Sequence, residues 1–196
     1  MSPARIIILL SALVLTGPVA AQDFSAPEAG TGRTAEKGGS AKHYMVVAAN
    51  PIAAKAGADI LKAGGSAVDA AITTQLVLNM VEPQSSGIGG GAFMVHWDQK
   101  AKALTSFDGR ESAPAAAKPD RFLTADRKPM DRMTAVVGGR SVGVPGVLRM
   151  LEMAHKRYGK LPWAKLFEPA IKIADEGFPM SPRLNSLLAM DRPLRS

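Results

Sequence analysis

Four consecutive residues, Asp108-Gly109-Arg110-Glu111, carry the strongest chemical signal in the sequence. An arginine presents a planar fork of N–H donors that matches a carboxylate. The stretch follows Leu104 to Phe107, which reads as a strand. The junction of a strand and a loop is where ligand-binding side chains usually sit. From these residues alone two readings stay open. Arg110 holds an anionic ligand, or it pairs with its neighbours Asp108 or Glu111.

A second candidate is the glycine-rich stretch Ser85 to Phe93, SSGIGGGAF. Gly87 to Ala92 formally fits the dinucleotide fingerprint G-x-G-x-x-[GA]. That chemistry needs a strand, then the loop, then a helix whose N-terminus faces the pyrophosphate. Here the expected order is reversed, with a helix before the loop and a strand after it. No Lys-Ser or Lys-Thr pair follows, so a P-loop is excluded as well. The glycines are instead expected to let the chain leave one helix and enter a crowded sheet. On that reading Gly89→Val damages folding before it touches ligand affinity.

The remaining reactive side chains form no constellation. His43, His96 and His155 lie far apart in sequence. Ser85 and Ser86 have no identifiable partner base. Thr73 and Thr74 fall inside an expected helix, where a hydroxyl usually bonds the preceding turn. The chain has no cysteine, which excludes thiol nucleophiles, Cys-x-x-Cys redox chemistry and zinc–cysteine sites. No metal or cofactor is expected.

The elements that must position Arg110 follow from the pattern. Tyr44 to Ala49 reads as a short buried strand. Asn50 and Pro51 start a helix that Gly64 and Gly65 stop. Ser66 and Asp69 form a capping-box pair for a second helix reaching about Val81, with Val68, Ala71, Ile72, Gln75, Leu76 and Asn79 at helical spacing. Ala92–Trp97 and Leu104–Phe107 read as a hairpin closed by Asp98 to Ala101. Ser112 to Met133 is a connection, and Ser141 to Val144 a further short strand. Pro145 opens a helix with Val147, Leu151, Ala154 and Tyr158 on one face. Pro162 opens the next, with Leu166, Phe167, Ala170, Ile171 and Ala174 as its apolar face, and Pro182 a last short one.

Composition sets the outer bounds. The 196 residues suffice for one domain with a sizeable core, and 46% hydrophobic with 21% charged residues is ordinary for a globular protein. The net charge of +7 comes from scattered, interleaved charges, so no nucleic-acid partner is expected. Residues 1–21 have a positive start, an apolar run from Ile6 to Leu15, a break at Gly17-Pro18 and small residues up to Ala21. This is the pattern of a secretory signal peptide, too short to span a bilayer. Residues 22–42 read as a flexible leader and 43–196 as the folded part. The protein is therefore expected in the periplasm or outside the cell, with no stable membrane insertion after cleavage.

Three segments together, GGSAVDAA, EPQSSGIGGG and DGRE, in that order, resemble the gamma-glutamyltransferase (gamma-glutamyltranspeptidase) family. The likeness continues through SVGVPGVLRMLEMAHKRYGKLPWAKLFEPAIKIADEGFPMS. It implies an α+β, N-terminal-nucleophile hydrolase fold, a four-layer α-β-β-α sandwich only partly represented in this chain. It also implies a precursor that cuts itself into a large and a small subunit. The small subunit's N-terminal threonine attacks gamma-glutamyl compounds such as glutathione, passing the acyl group to water or to an amino-acid or peptide acceptor. By this resemblance Arg110 matches the arginine that holds the α-carboxylate of the gamma-glutamyl group. The nucleophilic threonine is expected downstream of Ser196, so the polypeptide alone is expected to be inactive. The alternatives are a cephalosporin-acylase-like amidohydrolase on the same scaffold and a non-catalytic exported binding protein.

Overall fold

Helix α1 (Pro51–Lys62) begins where Asn50 accepts a hydrogen bond from Ile52 N and Pro51 occupies the first turn. At its far end Gly64 takes a left-handed φ of 90°, which a side chain would resist. Helix α2 (Ala67–Val81) starts three residues later with both halves of the capping box formed: Ser66 Oγ accepts from Asp69 N, and Asp69 accepts from Ser66 N. The expected boundaries of both helices hold to within a residue or two. The computed structural model describes residues 38–190. The expected signal peptide and most of the leader lie outside the described residues.

Helix α2 is central to the packing. Val68, Ala70, Ile72, Leu76, Val77 and Val81 are buried on several sides of it. Burying each large aliphatic side chain contributes about 1.5–3 kcal/mol. Helix α1 lies against it closely because position 57 is glycine: a β-carbon there would sit within the Thr74 hydroxyl and 3.2 Å from Ala70 O. Thr73 is fully buried, and its hydroxyl donates to Leu166 O at 3.0 Å. The expected bond to its own helix is thus replaced by a tie to another element.

The hairpin forms as read: β1 (Phe93–Asp98) pairs antiparallel with β2 (Ala103–Asp108), Met94 opposite Phe107 and His96 opposite Thr105. Asp98 closes the turn by accepting from Lys100 N and Ala101 N. One face, with Met94 and Phe107, packs on the main core beside Tyr158. The other face leaves Phe93, Val95, Trp97 and Leu104 each more than half exposed.

Helix α3 (Arg132–Val136) is a short piece within the connection. Helix α4 (Val147–Tyr158) buries Val147, Met150, Leu151 and Ala154 against α2 and the hairpin. Helix α5 (Glu168–Glu176) is preceded by a separate 3-10 turn over Trp163–Leu166. Helix α6 (Pro182–Met190) ends the described region.

Three expectations need correction. Tyr44 to Ala49 forms no strand, and Val47 is 82% exposed. A strand needs a hydrogen-bonding neighbour, and the two strands among the described residues pair with each other. Ser141 to Val144 yields a 3-10 turn at Gly139–Ser141 and a single bridge from Val144 to Ser112. Pro145 cannot donate to a ladder, so pairing stops there. The single helix expected from Pro162 is split before Glu168, because Pro169 lacks the N–H an unbroken helix would need and crowds the preceding turn. The split shifts the phase. Ile171 and Ala174 face solvent, while Ala170 and Ile173 pack against α1 and α2.

Candidate functional site

Arg110 and Glu111 occupy a short span held at both ends. On one side Gly109 continues the hairpin ladder, its N–H donating to Ala92 O at 2.9 Å and its carbonyl accepting from Ala92 N at 3.3 Å. On the other, Ser112 and Val144 exchange backbone hydrogen bonds of 3.3 and 2.9 Å. Between these points Arg110 N donates to Asp108 Oδ1 at 2.8 Å. Asp108 therefore fixes the turn rather than neutralising the guanidinium.

Glycines surround this span because backbone must pass backbone. A β-carbon on Gly91 would lie 2.8 Å from Gly109 O and 2.9 Å from Arg110 Cα. One on Gly143 would lie 2.8 Å from Glu111 Cβ. One on Gly146 would lie within the Gly109 carbonyl. The carbonyl of Gly90 also accepts from Gly146 N and Val147 N, each at 3.2 Å, so the glycine loop holds the start of α4. The stretch thus serves as a seat for Asp108-Gly109-Arg110-Glu111, with the order α2, loop, β1 as read. Gly89 plays no part in the seat: nothing lies within 4 Å of a β-carbon placed there. The expectation attached to Gly89 belongs to Gly91.

The Arg110 side chain is 72% exposed, and its Nε stands 3.5 Å from Glu111 Oε2. Exposed pairs of this kind contribute about 0–1 kcal/mol, so an incoming carboxylate competes readily for the fork. Glu111 borders an open cleft of about 430 Å³ with Gln75, Ser85, Ser86 and the loop glycines. Beneath it, Gln75 Nε2 donates to Ser86 Oγ at 2.7 Å and to Asn79 Oδ1 at 3.0 Å, while Ser86 Oγ donates to Asn79 Oδ1 at 2.8 Å. Ser86 is held by amides and has no base beside it. Its role is to tie the loop to α2.

The other candidates are dispersed. His96 stacks on Tyr158 with ring centroids 4.0 Å apart. His155 Nε2 lies 2.8 Å from Leu161 O and 3.7 Å from Asp69 Oδ1, and His43 is exposed. Among the described residues no group of acids and histidines could hold a metal ion. None of their helices is long and apolar enough to cross a membrane.

Two buried carboxylates went unread in the sequence. Asp69, legible only as a cap, also accepts from Lys160 N at 2.9 Å and Leu161 N at 3.1 Å, which closes the α4–α5 connection onto α2. Glu82, 4% exposed, accepts from Asn50 Nδ2 at 3.1 Å and from Gln84 Nε2, and Arg183 Nη1 stands 3.5 Å away. Partners up to about a hundred residues distant leave no local signal.

Residues 53–195 match the sequence model of the gamma-glutamyltranspeptidase family. The chain is 48% identical over 139 residues to the glutathione hydrolase proenzyme of Bacillus subtilis (strain 168), covering 71% of this chain and 24% of that protein. It resembles the crystal structure of Helicobacter pylori gamma-glutamyltranspeptidase with a TM-score of 0.76 and 30% identity, covering 82% of this chain and 46% of that one. It also resembles the cephalosporin acylase from Bacillus halodurans, with a TM-score of 0.59, 34% identity, and coverage of 83% and 31%. The α+β, N-terminal-nucleophile hydrolase class expected from the sequence is thus the class observed. The chain spans about a quarter of the length of the curated relative.

Proposed function

This chain belongs to the gamma-glutamyltranspeptidase family, and from that premise we propose that it forms the N-terminal part of an exported gamma-glutamyltransferase or glutathione hydrolase. Arg110 binds the α-carboxylate of the gamma-glutamyl donor. The nucleophile is a threonine of a small subunit cut from the same precursor. Its hydroxyl oxygen adds to the gamma-carbonyl carbon, its proton passes to the departing amine, and the C–N bond breaks to leave a gamma-glutamyl ester. Water or an acceptor amine then takes the acyl group and restores the hydroxyl. The threonine's own α-amino group can serve as base.

The observation that carries this reading is the posture of Arg110. Its backbone is held between Gly109 and Ser112, while the guanidinium is 72% exposed with one weak neighbour. Such a group gives a cation on a fixed stretch of backbone without a committed counter-ion, and a second chain can complete the pocket over it. The exposed hairpin face of Phe93, Val95, Trp97 and Leu104 gives the small subunit an apolar surface to cover. On this reading the chain alone is inactive.

The test is Arg110→Ala in the processed two-subunit protein, assayed with a gamma-glutamyl anilide. Losing one partner of a buried charge pair costs about 2–5 kcal/mol, so kcat/KM falls by at least about thirtyfold while self-cleavage proceeds. Unchanged turnover overturns the assignment. The likeness to an acylase favours one second reading, a carboxylate-ended acyl group other than gamma-glutamyl. Arg110 serves either donor, and a glutaryl anilide hydrolysed faster than the gamma-glutamyl anilide would select the acylase.

A further inference from the structure

Beyond Ser112 the chain folds over itself and encloses a second cleft, of about 300 Å³, walled by Pro114, Phe122 and Val142. Lys118, Arg121 and Arg140 border it. The two arginines clasp each other through main-chain oxygens: Arg121 Nε donates to Arg140 O at 2.5 Å, and Arg140 Nη1 donates to Arg121 O at 2.7 Å. Arg121 Nη2 also reaches Gly139 O at 3.4 Å. Gly138, with a φ of 97°, supplies the left-handed turn that presents these carbonyls. Ser141 Oγ donates to Val136 O at 2.6 Å and holds the turn.

Carbonyl partners orient a guanidinium but leave its full charge uncompensated. Among the described residues Lys118, Arg121 and Arg140 form no ion pair. Of the acids in this segment, Asp126 pairs with Lys128 at 2.9 Å, Asp131 caps α3 by accepting from Thr134 N at 3.1 Å, and Asp120 is exposed and forms no ion pair with the three cations. Three cations around an apolar wall, two of them rigid, match a ligand with carboxylates set beside apolar atoms.

We propose that this cleft is a binding site for a short acidic peptide segment, separate from the carboxylate site at Arg110. The peptide's carboxylates meet Lys118, Arg121 and Arg140, and its apolar atoms lie on Phe122 and Val142. Arginine forks suit carboxylates in two-point contact, and the half-exposed Phe122 ring adds burial that a bare inorganic anion cannot use.

The test uses the protein carrying this chain and two fluorescein-labelled tripeptides, Glu-Phe-Glu and Gln-Phe-Gln, followed by fluorescence anisotropy. The acidic peptide binds at least about tenfold more tightly, equivalent to about 1.4 kcal/mol. Lys118→Glu removes most of that preference with the circular dichroism spectrum unchanged, because Lys118 makes no contact the fold depends on. Arg140→Gln removes it too. Equal binding of the two peptides overturns the proposal, as does a preference that survives Lys118→Glu. Loss of the preference in Arg110→Ala alone assigns the binding to the other site and also overturns it. So does displacement by inorganic phosphate at the peptide's own concentration.

Discussion

A β-carbon placed on Gly109 would lie 2.6 Å from Met150 Cβ, so the backbone that delivers Arg110 runs flush against helix α4. Gly109→Ala must push the strand or the helix aside. Overpacking of this kind costs about 1–3 kcal/mol, read as a lower melting temperature. Adding Met150→Ala does not rescue it, since alanine keeps the β-carbon 2.6 Å away and Gly146 O still lies 3.1 Å from the same point.

Two glycines in one loop should behave oppositely. Gly91→Ala drives a methyl into Gly109 O and Arg110 Cα, main-chain atoms that cannot swing away. It lowers stability by more than about 1 kcal/mol. Gly89→Val meets open space and stays within about 0.5 kcal/mol of the parent in denaturant unfolding. A large loss in the second variant would disprove the seat described for Arg110.

Asp69 offers one oxygen to Ser66 N, Lys160 N and Leu161 N. Asp69→Ala leaves three part-buried N–H groups without that acceptor, and charge-assisted bonds are each worth about 1.5–3 kcal/mol. The expected loss is at least about 3 kcal/mol, measured by the denaturant midpoint. Asp69→Asn keeps an oxygen in place and loses less.

Glu82 and Asn50 join the end of α2 to the start of α1 at 3.1 Å. A double-mutant cycle with Glu82→Ala and Asn50→Ala should give a coupling energy of about 0.5–3 kcal/mol. Additive effects would show that the two ends are stabilised separately.

Asp98 responds to pH. The Ala101 amide, with a lesser contribution from the Lys100 amide, holds its carboxyl below the ordinary aspartate value, against an opposing effect of desolvation. A depressed folded value means the turn is supported above the ordinary range and loses that support as pH falls through it. Amide exchange at Lys100 and Ala101 should therefore rise relative to Val95 on acidification. Asp98→Asn should blunt the pH dependence.

Much of the local structure was legible because its causes are local. Asn50-Pro51, Ser66 with Asp69, and the Asp98 turn each satisfy backbone groups within three residues, so their patterns survive any packing. The α5 phase is not legible from the apolar spacing because that spacing runs across Pro169, whose missing N–H resets the helix. The strand expected at Tyr44 to Ala49 failed for another reason. Its apolar run was genuine, but pairing requires a neighbour that no short window reveals.

The sequence by itself determined the helix caps, the hairpin and, through three ordered motifs, the family. Those depend on residue type and spacing along the chain. Only the tertiary structure decided which glycines are crowded, that Asp108 turns the backbone instead of pairing with Arg110, and that Asp69 and Glu82 join distant segments. The crowding and the two carboxylate ties turn on distances between residues far apart in sequence, which spacing does not encode until the chain has packed; the Asp108 turn is local, but its alternatives share one spacing and differ only in geometry.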